Sequence, residues 1–181
     1  DAIRNSLKLI EAGADAVKLE GGKEVAEIIK SITQAKIPVM GHLGLLPQTA
    51  QKYTVQGKTK ESAIELIEDA KIITESGVFS IVLEMVSSQV ARIITEKISV
   101  PTIGIGSGKF CDGQVLVVHD MLGLFEKIKP KFAKRYLSLS DEIRNAVKSY
   151  AVEVKEEKFP SIEHEFQMDE SEYTKLREHI D

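Results

Sequence analysis

Cysteine is nearly absent from this chain: Cys111 stands alone among 181 residues. One thiol can form neither an internal disulfide nor a multi-thiolate metal centre, so nothing points to a secreted, disulfide-supported scaffold. Blocks of positive charge are missing too. With 24 lysines and arginines against 28 aspartates and glutamates, the formal net charge is -4, and no dense basic run offers the phosphate-neutralising face that nucleic acid requires. No uninterrupted apolar run is long enough to cross a bilayer, and Asp1-Ala-Ile-Arg4 lacks the basic-then-apolar layout of a signal peptide. These features predict a cytoplasmic protein with no nucleic-acid or membrane partner. Position 1 is not methionine and the chain opens inside a helical pattern, which predicts a further segment upstream.

What the chain does have is apolar material. Hydrophobic residues make up 43% of it, enough for one sizeable core. Laid on itself, the sequence repeats: Glu11-Ala-Gly-Ala-Asp-Ala-Val-Lys-Leu-Glu20 parallels Glu75-Ser-Gly-Val-Phe-Ser-Ile-Val-Leu-Glu84, and Ile37-Pro-Val-Met-Gly-His42 parallels Val100-Pro-Thr-Ile-Gly-Ile105 at nearly the same offset. Two copies of a strand-helix-strand-helix unit explain this most simply. Three-and-four spacing predicts helical faces at Ile3, Leu7 and Ile10; at Val25, Ile28, Ile29 and Ile32; and at Ala63, Leu66, Ile67, Ala70 and Ile73. Ser87 and Ser88 are placed to cap a further helix carrying Val90, Ile93 and Ile94.

Short, mostly apolar segments at 15–20, 37–42, 79–84, 101–105 and 115–119 read as strands covered on both faces. Alternation of this kind fits a doubly wound sheet or a closed (βα)₈ TIM barrel. The barrel is favoured because strand after strand ends in a polar or glycine-rich element, as a shared catalytic rim demands. Five strands do not close a barrel of eight, which predicts that about three amino-terminal strands are absent from this chain. The predicted division is a carboxyl-terminal portion of a barrel with covering helices over residues 1–165 and a polar peripheral tail over 166–181. Within it, Ile143, Ala146, Val147, Tyr150 and Val154 mark a long amphipathic helix.

Chemistry-bearing residues fall at strand ends. Lys18 and Glu20 are two apart and share one face of a strand; they read either as site residues or as an internal salt bridge, with Gly21-Gly22 behind them allowing a close backbone approach. His42 ends the next strand, as a satisfied structural histidine or as a neutral imidazole facing a ligand oxygen or a water. Glu84 occupies the repeat position of Glu20 at the end of Ile81-Val-Leu83, where apolar surroundings raise a carboxyl pKa and suit a general base; the competing reading is a capping carboxylate for the following helix. Carboxylates at a rim suit Mg²⁺, with Glu20 the one candidate ligand in this chain. His42, Cys111 and His119 lack compact zinc spacing. Gly104-Ile-Gly-Ser-Gly108 reads as a weak anion cradle, and Tyr53-Thr-Val-Gln-Gly57 as a lid or a plain surface excursion.

Taken in order, Val17-Lys-Leu-Glu-Gly-Gly22, Gly41-His-Leu-Gly-Leu-Leu-Pro-Gln48, Tyr53-Thr-Val-Gln-Gly57, Leu83-Glu84, Ile103-Gly-Ile-Gly-Ser-Gly108, Asp112-Gly-Gln-Val-Leu-Val-Val-His-Asp120 and Pro130-Lys-Phe-Ala-Lys134 resemble the 3-methyl-2-oxobutanoate (ketopantoate) hydroxymethyltransferase family as far as about residue 165. The resemblance implies a Mg²⁺-dependent (βα)₈ barrel of pantothenate biosynthesis. It implies transfer of a hydroxymethyl group from 5,10-methylenetetrahydrofolate to 3-methyl-2-oxobutanoate, giving 2-dehydropantoate through a Mg-stabilised enolate. It places Glu84 on the family's catalytic base, His42 on an active-site histidine, Lys18 on a substrate-binding lysine and Glu20 on a metal-binding glutamate. It implies two further aspartates in an amino-terminal region, and a homo-oligomer, commonly a homodecamer. The chain departs from the family at Met85-Val-Ser87, in place of Cys-Val-Pro, and at Glu163-His-Glu-Phe166, in place of a His-Ser-Phe ending. Two rival expectations stand beside this one: another Mg-dependent carbon–carbon lyase or mutase acting on small oxo-acids, which needs no folate, and a structural remnant without catalysis.

Overall fold

A computed structural model describes residues 1–180. The chain divides into two compact units, Asp1–Val118 with Pro130–Lys134, and His119–Lys129 with the residues from Arg135 onward. The first unit carries α1 (Ala2–Glu11), β1 (Val17–Glu20), α2 (Ala26–Gln34), β2 (Val39–Gly44), α3 (Lys60–Glu75), β3 (Ser80–Glu84), α4 (Ser88–Lys97), β4 (Thr102–Ile105) and β5 (Gly113–Gln114). Its five strands are all parallel and lie in the sheet in chain order, β1-β2-β3-β4-β5. A doubly wound sheet reverses its order at a switch point, whereas a barrel wall adds each strand beside the last. The fold is therefore α/β of the TIM-barrel type, five strands of wall with a helix between each successive pair of the first four and a helix-free connection from β4 to β5.

Burial explains why these segments are strands. On β3, Ile81 and Leu83 are fully buried among Ile29, Ile32, Ala70, Ile73, Val90, Ala91 and Ile94 of the covering helices. Side chains alternate along a strand, so Val82 and Glu84 point to the opposite face. Each fully buried aliphatic side chain contributes about 1.5–3 kcal/mol, which fixes the register against a one-residue slip. Gly41 lets α3 approach closely, since a β-carbon there would sit 2.8 Å from Ile73 Cδ1. α3 begins at a reciprocal cap: Ser62 N–H donates to Thr59 Oγ1 at 3.2 Å, and Thr59 N–H donates to Ser62 Oγ at 3.1 Å.

Three local expectations are corrected. The fifth strand is Gly113–Gln114 rather than 115–119, and Val118–Met121 forms a short helix, α5. The β4 ladder has already ended at Ile105, with Gly106 turning at a φ of 67°, so Val115 and Val117 find no strand to pair with beyond the Val115 N–H to Gly104 carbonyl bond and remain exposed. Ser87 precedes α4 without capping it; its hydroxyl donates to the Gly57 carbonyl at 2.7 Å. Ile28 and Ile93 are partly exposed while their neighbours Ile29 and Ile94 are buried, because residues one apart on a helix lie about 100° apart and only one of each pair can face the sheet.

In the second unit, α6 (Leu139–Lys155) is the long helix expected from the apolar spacing, and α7 (Glu170–Ile180) follows as a short peripheral one. None of α6 is buried, and Ile143, Val147, Tyr150 and Val154 are exposed. Arg144 ties α6 to Glu126 at 2.7 Å and pairs with Asp141 of its own first turn at 2.7 Å, and the Tyr150 ring meets Phe159 edge-on at 5.6 Å. Among the described residues, no helix is long and apolar enough to cross a membrane.

Candidate active site

Parallel register brings the chemistry of three strands to one end of the sheet. Glu20 of β1 pairs with His42 of β2, and Gly44 of β2 pairs with Glu84 of β3. Lys18, Glu20, His42 and Glu84 all occupy the alternating positions that face away from the covering helices. Lys18 Nζ lies 3.0 Å from His42 Nδ1 and 3.5 Å from Glu20 Oε1. His42 Nε2 lies 2.8 Å from the Leu45 carbonyl and 3.4 Å from Glu84 Oε2. The Lys18–Glu20 ion pair anticipated from spacing exists, but it is the longer of the two contacts that Lys18 makes.

The protonation of His42 follows from its partners. A carbonyl can only accept, so Nε2 carries the hydrogen and gives it to Leu45; an ammonium can only donate, so Nδ1 is bare and receives from Lys18. The ring is neutral and buried, its side chain 3% exposed. Burial lowers its pKa, with the Lys18 charge adding to the effect. Both ring nitrogens are engaged by the protein, which matches the satisfied histidine of the two readings open from the sequence and not an imidazole facing a ligand or water.

Glu84 is the opposite case. Its side chain is 17% exposed, and none of its contacts to described residues is a hydrogen bond, so it does not cap α4. Burial raises its pKa, Glu20 adds to the rise, and Lys18 opposes it. The backbone around it is held from four directions: Leu45 N–H donates to the Glu84 carbonyl at 2.8 Å, Met85 N–H to Ile105 at 2.8 Å, Gln56 N–H to the Met85 carbonyl at 2.7 Å, and Val86 N–H to Ser107 Oγ at 3.0 Å. Ser107 closes the clamp by donating to the Leu83 carbonyl at 2.7 Å. This fixing supports Met85 at a φ of 49°, a left-handed conformation that non-glycine residues rarely take.

Sequence reasoning did not foresee Ser107 and Gln56 as supports of Glu84. Their only signal was membership of Gly104-Ile-Gly-Ser-Gly108 and of Tyr53-Thr-Val-Gln-Gly57, which were read as a cradle and a lid. The Ser107 hydroxyl is spent on the β3 backbone, and the glycine turn lines a cavity of about 610 Å³ with Lys109, Gln114 and Phe132 that includes none of the four site residues. The connection after β2 is fastened at Gln56 and Gly57, while inside it Gln48 N–H donates to Glu20 Oε2 at 3.3 Å. The Gly21-Gly22 turn, expected to approach a ligand, instead approaches protein. A β-carbon on Gly22 would collide with the Asp69 carboxylate, which accepts from Lys23 N–H at 3.1 Å, and Gly22 N–H donates to Glu24 Oε1 at 2.9 Å. Asp69, on α3, is pushed above the usual carboxylate range by burial.

Among the described residues, no group of three histidine, cysteine, aspartate or glutamate side chains is placed to hold a metal ion. The Glu20 carboxylate lies at this end of the sheet with long contacts, 3.5 Å to Lys18 Nζ and 3.3 Å to Gln48 N–H.

Residues 1–162 match the family model described as ketopantoate hydroxymethyltransferase. The chain is 61% identical over 183 residues to the 3-methyl-2-oxobutanoate hydroxymethyltransferase of Nitrosopumilus maritimus (strain SCM1), an alignment covering 99% of this chain and 66% of that protein. It is 58% identical over 175 residues to the protein of that name from Cenarchaeum symbiosum (strain A), covering 95% and 67%. For the one from Clostridium botulinum (strain 657 / Type Ba4) the identity is 53% over 180 residues, covering 97% and 66%. The chain thus spans about two thirds of the length of these curated relatives.

Proposed function

Because the chain belongs to the ketopantoate hydroxymethyltransferase family, we propose that the protein of which it forms part transfers a hydroxymethyl group from 5,10-methylenetetrahydrofolate to 3-methyl-2-oxobutanoate, yielding 2-dehydropantoate, with Glu84 as the base. The observation that carries this reading is a half-buried carboxylate, with no hydrogen bond to the described residues, on the same face of the sheet as a lysine ammonium.

The C3 proton of a 2-oxo-acid is too weakly acidic for a carboxylate in water to remove quickly. Burial makes Glu84 more basic than a solvated glutamate. Lys18, 43% exposed and steered by His42, supplies positive charge to the oxygens on which negative charge develops. Its half-open position leaves donors for a substrate carboxylate. Removal of the C3 proton to Glu84 leaves a nucleophilic carbon, the new carbon–carbon bond forms to the methylene carbon of the folate cosubstrate, and water provides the hydroxyl oxygen. The balance closes with the folate nitrogens as leaving groups: the C3–H bond, one O–H bond of water and the two C–N bonds of the methylene carbon break, and one C–C, one C–O and two N–H bonds form. The two nitrogens of the released tetrahydrofolate take up the C3 proton, passed on from Glu84, and the proton from water.

Mg²⁺ belongs to this proposal. Glu20 fits as a ligand in its chemistry, a hard oxygen donor on the same face with weakly engaged lone pairs; Mg²⁺ takes few protein ligands and keeps its waters. When bound, it supplies Lewis-acid stabilisation of negative charge on the substrate oxygens. We place the protein in the cytoplasm as a homo-oligomer, decameric by family resemblance.

The test uses the complete protein. Hydrogen–deuterium exchange at C3 of 3-methyl-2-oxobutanoate is expected to proceed with the parent and to fall by about 10²–10⁴-fold with Glu84→Gln, the usual span for loss of a general base. Product formation is expected to require methylenetetrahydrofolate. Unchanged exchange in the variant removes Glu84 from the role. Consumption of oxo-acid without folate points instead to a lyase or mutase, and absence of any oxo-acid binding points to a remnant.

A further inference from the structure

We propose that His42 is a positioning residue of fixed tautomer: with its proton held on Nε2 by the Leu45 carbonyl, it presents the bare Nδ1 as the acceptor that aims the Lys18 ammonium into the site, and it carries no proton to or from Glu84. The proposal deepens the function given above and rests on it for the roles of Lys18 and Glu84.

Three contacts define the arrangement. Nε2 to the Leu45 carbonyl is 2.8 Å, Nδ1 to Lys18 Nζ is 3.0 Å, and Leu45 N–H to the Glu84 carbonyl is 2.8 Å. Neither hydrogen-bond partner of the ring can exchange roles, because a backbone carbonyl has no hydrogen to give and an ammonium has no lone pair to offer. His42 is 2% exposed, so with both contacts in place its ring nitrogens are closed off from solvent. Leu45, through its own two backbone groups, holds the imidazole with one and the Glu84 strand end with the other. The acceptor for Lys18 is thereby referenced to the backbone that carries the base, and ammonium and carboxylate are set relative to one another by a chain of backbone and imidazole.

Glu84 Oε2 is only 3.4 Å from Nε2, and proximity alone would suggest a histidine–carboxylate relay. The direction of the N–H excludes it. The single hydrogen on Nε2 points along the shorter contact to Leu45, and the Glu84 contact has no hydrogen-bond geometry of its own. A relay would discharge the Lys18 contact, since protonating Nδ1 places two donors face to face. The charged groups around the ring are Lys18, Glu20 and Glu84; Lys18 sits against the nitrogen a relay would have to protonate, and burial weighs in the same direction.

The two nitrogens can be separated by substitution, because an asparagine amide falls near the Nδ1 position and a glutamine amide near Nε2. In the complete protein, His42→Asn keeps an oxygen that accepts from Lys18; its KM for 3-methyl-2-oxobutanoate is expected to stay within about threefold of the parent. His42→Gln keeps a donor for Leu45 but leaves Lys18 without its acceptor, and its KM is expected to rise by about tenfold or more, the usual worth of a hydrogen bond to a charged group. Equal KM values for the two variants overturn the assignment to Lys18. Independently of turnover, nitrogen NMR of the histidine-labelled complete protein is expected to show His42 with a proton on Nε2 and a bare Nδ1, both free and with 3-methyl-2-oxobutanoate. A proton on Nδ1 in either state overturns the proposal even where the enzyme turns over normally. If the protein neither binds nor converts the oxo-acid, the functional reading fails, and the NMR tautomer alone upholds or overturns the fixed ring.

Discussion

Gly44→Ala is expected to damage both stability and proton abstraction, for reasons worked from one contact. Gly44 has a φ of 97°, and a β-carbon there would collide with the carbonyl oxygen of Glu84 and come within 2.7 Å of Val86 Cγ2. That same carbonyl accepts the Leu45 N–H at 2.8 Å. Placing an L-residue in left-handed backbone costs about 1–2 kcal/mol, and losing the Leu45 bond costs about 1 kcal/mol more. Destabilisation of about 2–3 kcal/mol follows if these two terms act independently. Proton abstraction should suffer further, because the collision is with the backbone of Glu84, the proposed base, and a displacement of about 1 Å is worth on the order of 100-fold in rate. Gly13→Ala provides the control. Gly13 has a φ of 101° but nothing within 4 Å of its added β-carbon, so it carries the backbone strain without the collision. Denaturant unfolding of both variants and deuterium exchange at C3 of the oxo-acid give the readout. If Gly44→Ala loses no more stability than Gly13→Ala and exchanges at the parental rate, then the tight turn is not what places Glu84.

With Glu84 as the proposed base, ionised when it acts, the acid limb of kcat/KM for the complete protein is expected to be shifted upward from the ordinary glutamate value, because burial raises its pKa; Lys18→Met, which removes the charge opposing that rise, should move the limb to still higher pH, and a limb that stays put or moves down in a pH–rate profile contradicts the coupling. Stability should show the matching sign. A raised carboxyl pKa contributes stability that is complete below the unfolded-chain value and lost as pH rises through the folded value. Glu84→Gln cannot ionise, so it is expected to be more stable than the parent at neutral pH and to converge with it in acid; equal denaturation midpoints at both pH values refute the desolvation argument. Glu20→Ala is expected to weaken Mg²⁺ binding to the complete protein by more than about tenfold, the span that losing even an outer-shell partner of a metal produces, while unaltered affinity in a titration removes Glu20 from the metal.

The sequence was most informative where a local pattern and a global need coincided. Apolar runs bounded by Gly and Pro located β1 to β4 within two residues, since a strand covered on both faces excludes charge over its whole length. The stripe of Ala63, Leu66, Ile67, Ala70 and Ile73 packs as expected on α3, because it spans more than two turns of one face. Shorter signals misled. The apolar residues of 115–118 looked like a strand, but strand formation needs a partner edge, and the edge of β4 was exhausted. Serines before a helix looked like caps, but Ser87 found the Gly57 carbonyl, contributed by a connection thirty residues earlier in the chain.

The alternation of Lys18 with Glu20 and the strand-end positions of His42 and Glu84 were fixed by sequence, because a period of two assigns side chains to faces without knowledge of what lies opposite. How those faces are used was decided only by tertiary structure. Whether Lys18 leans to Glu20 or to His42, which nitrogen of His42 is bare, and whether Glu84 has a hydrogen-bond partner all depend on the registers between β1, β2 and β3 and on the Leu45 and Ser107 contacts that lock them. Hydrogen bonding and desolvation act over a few ångströms between groups distant in the chain, so no local pattern encodes them.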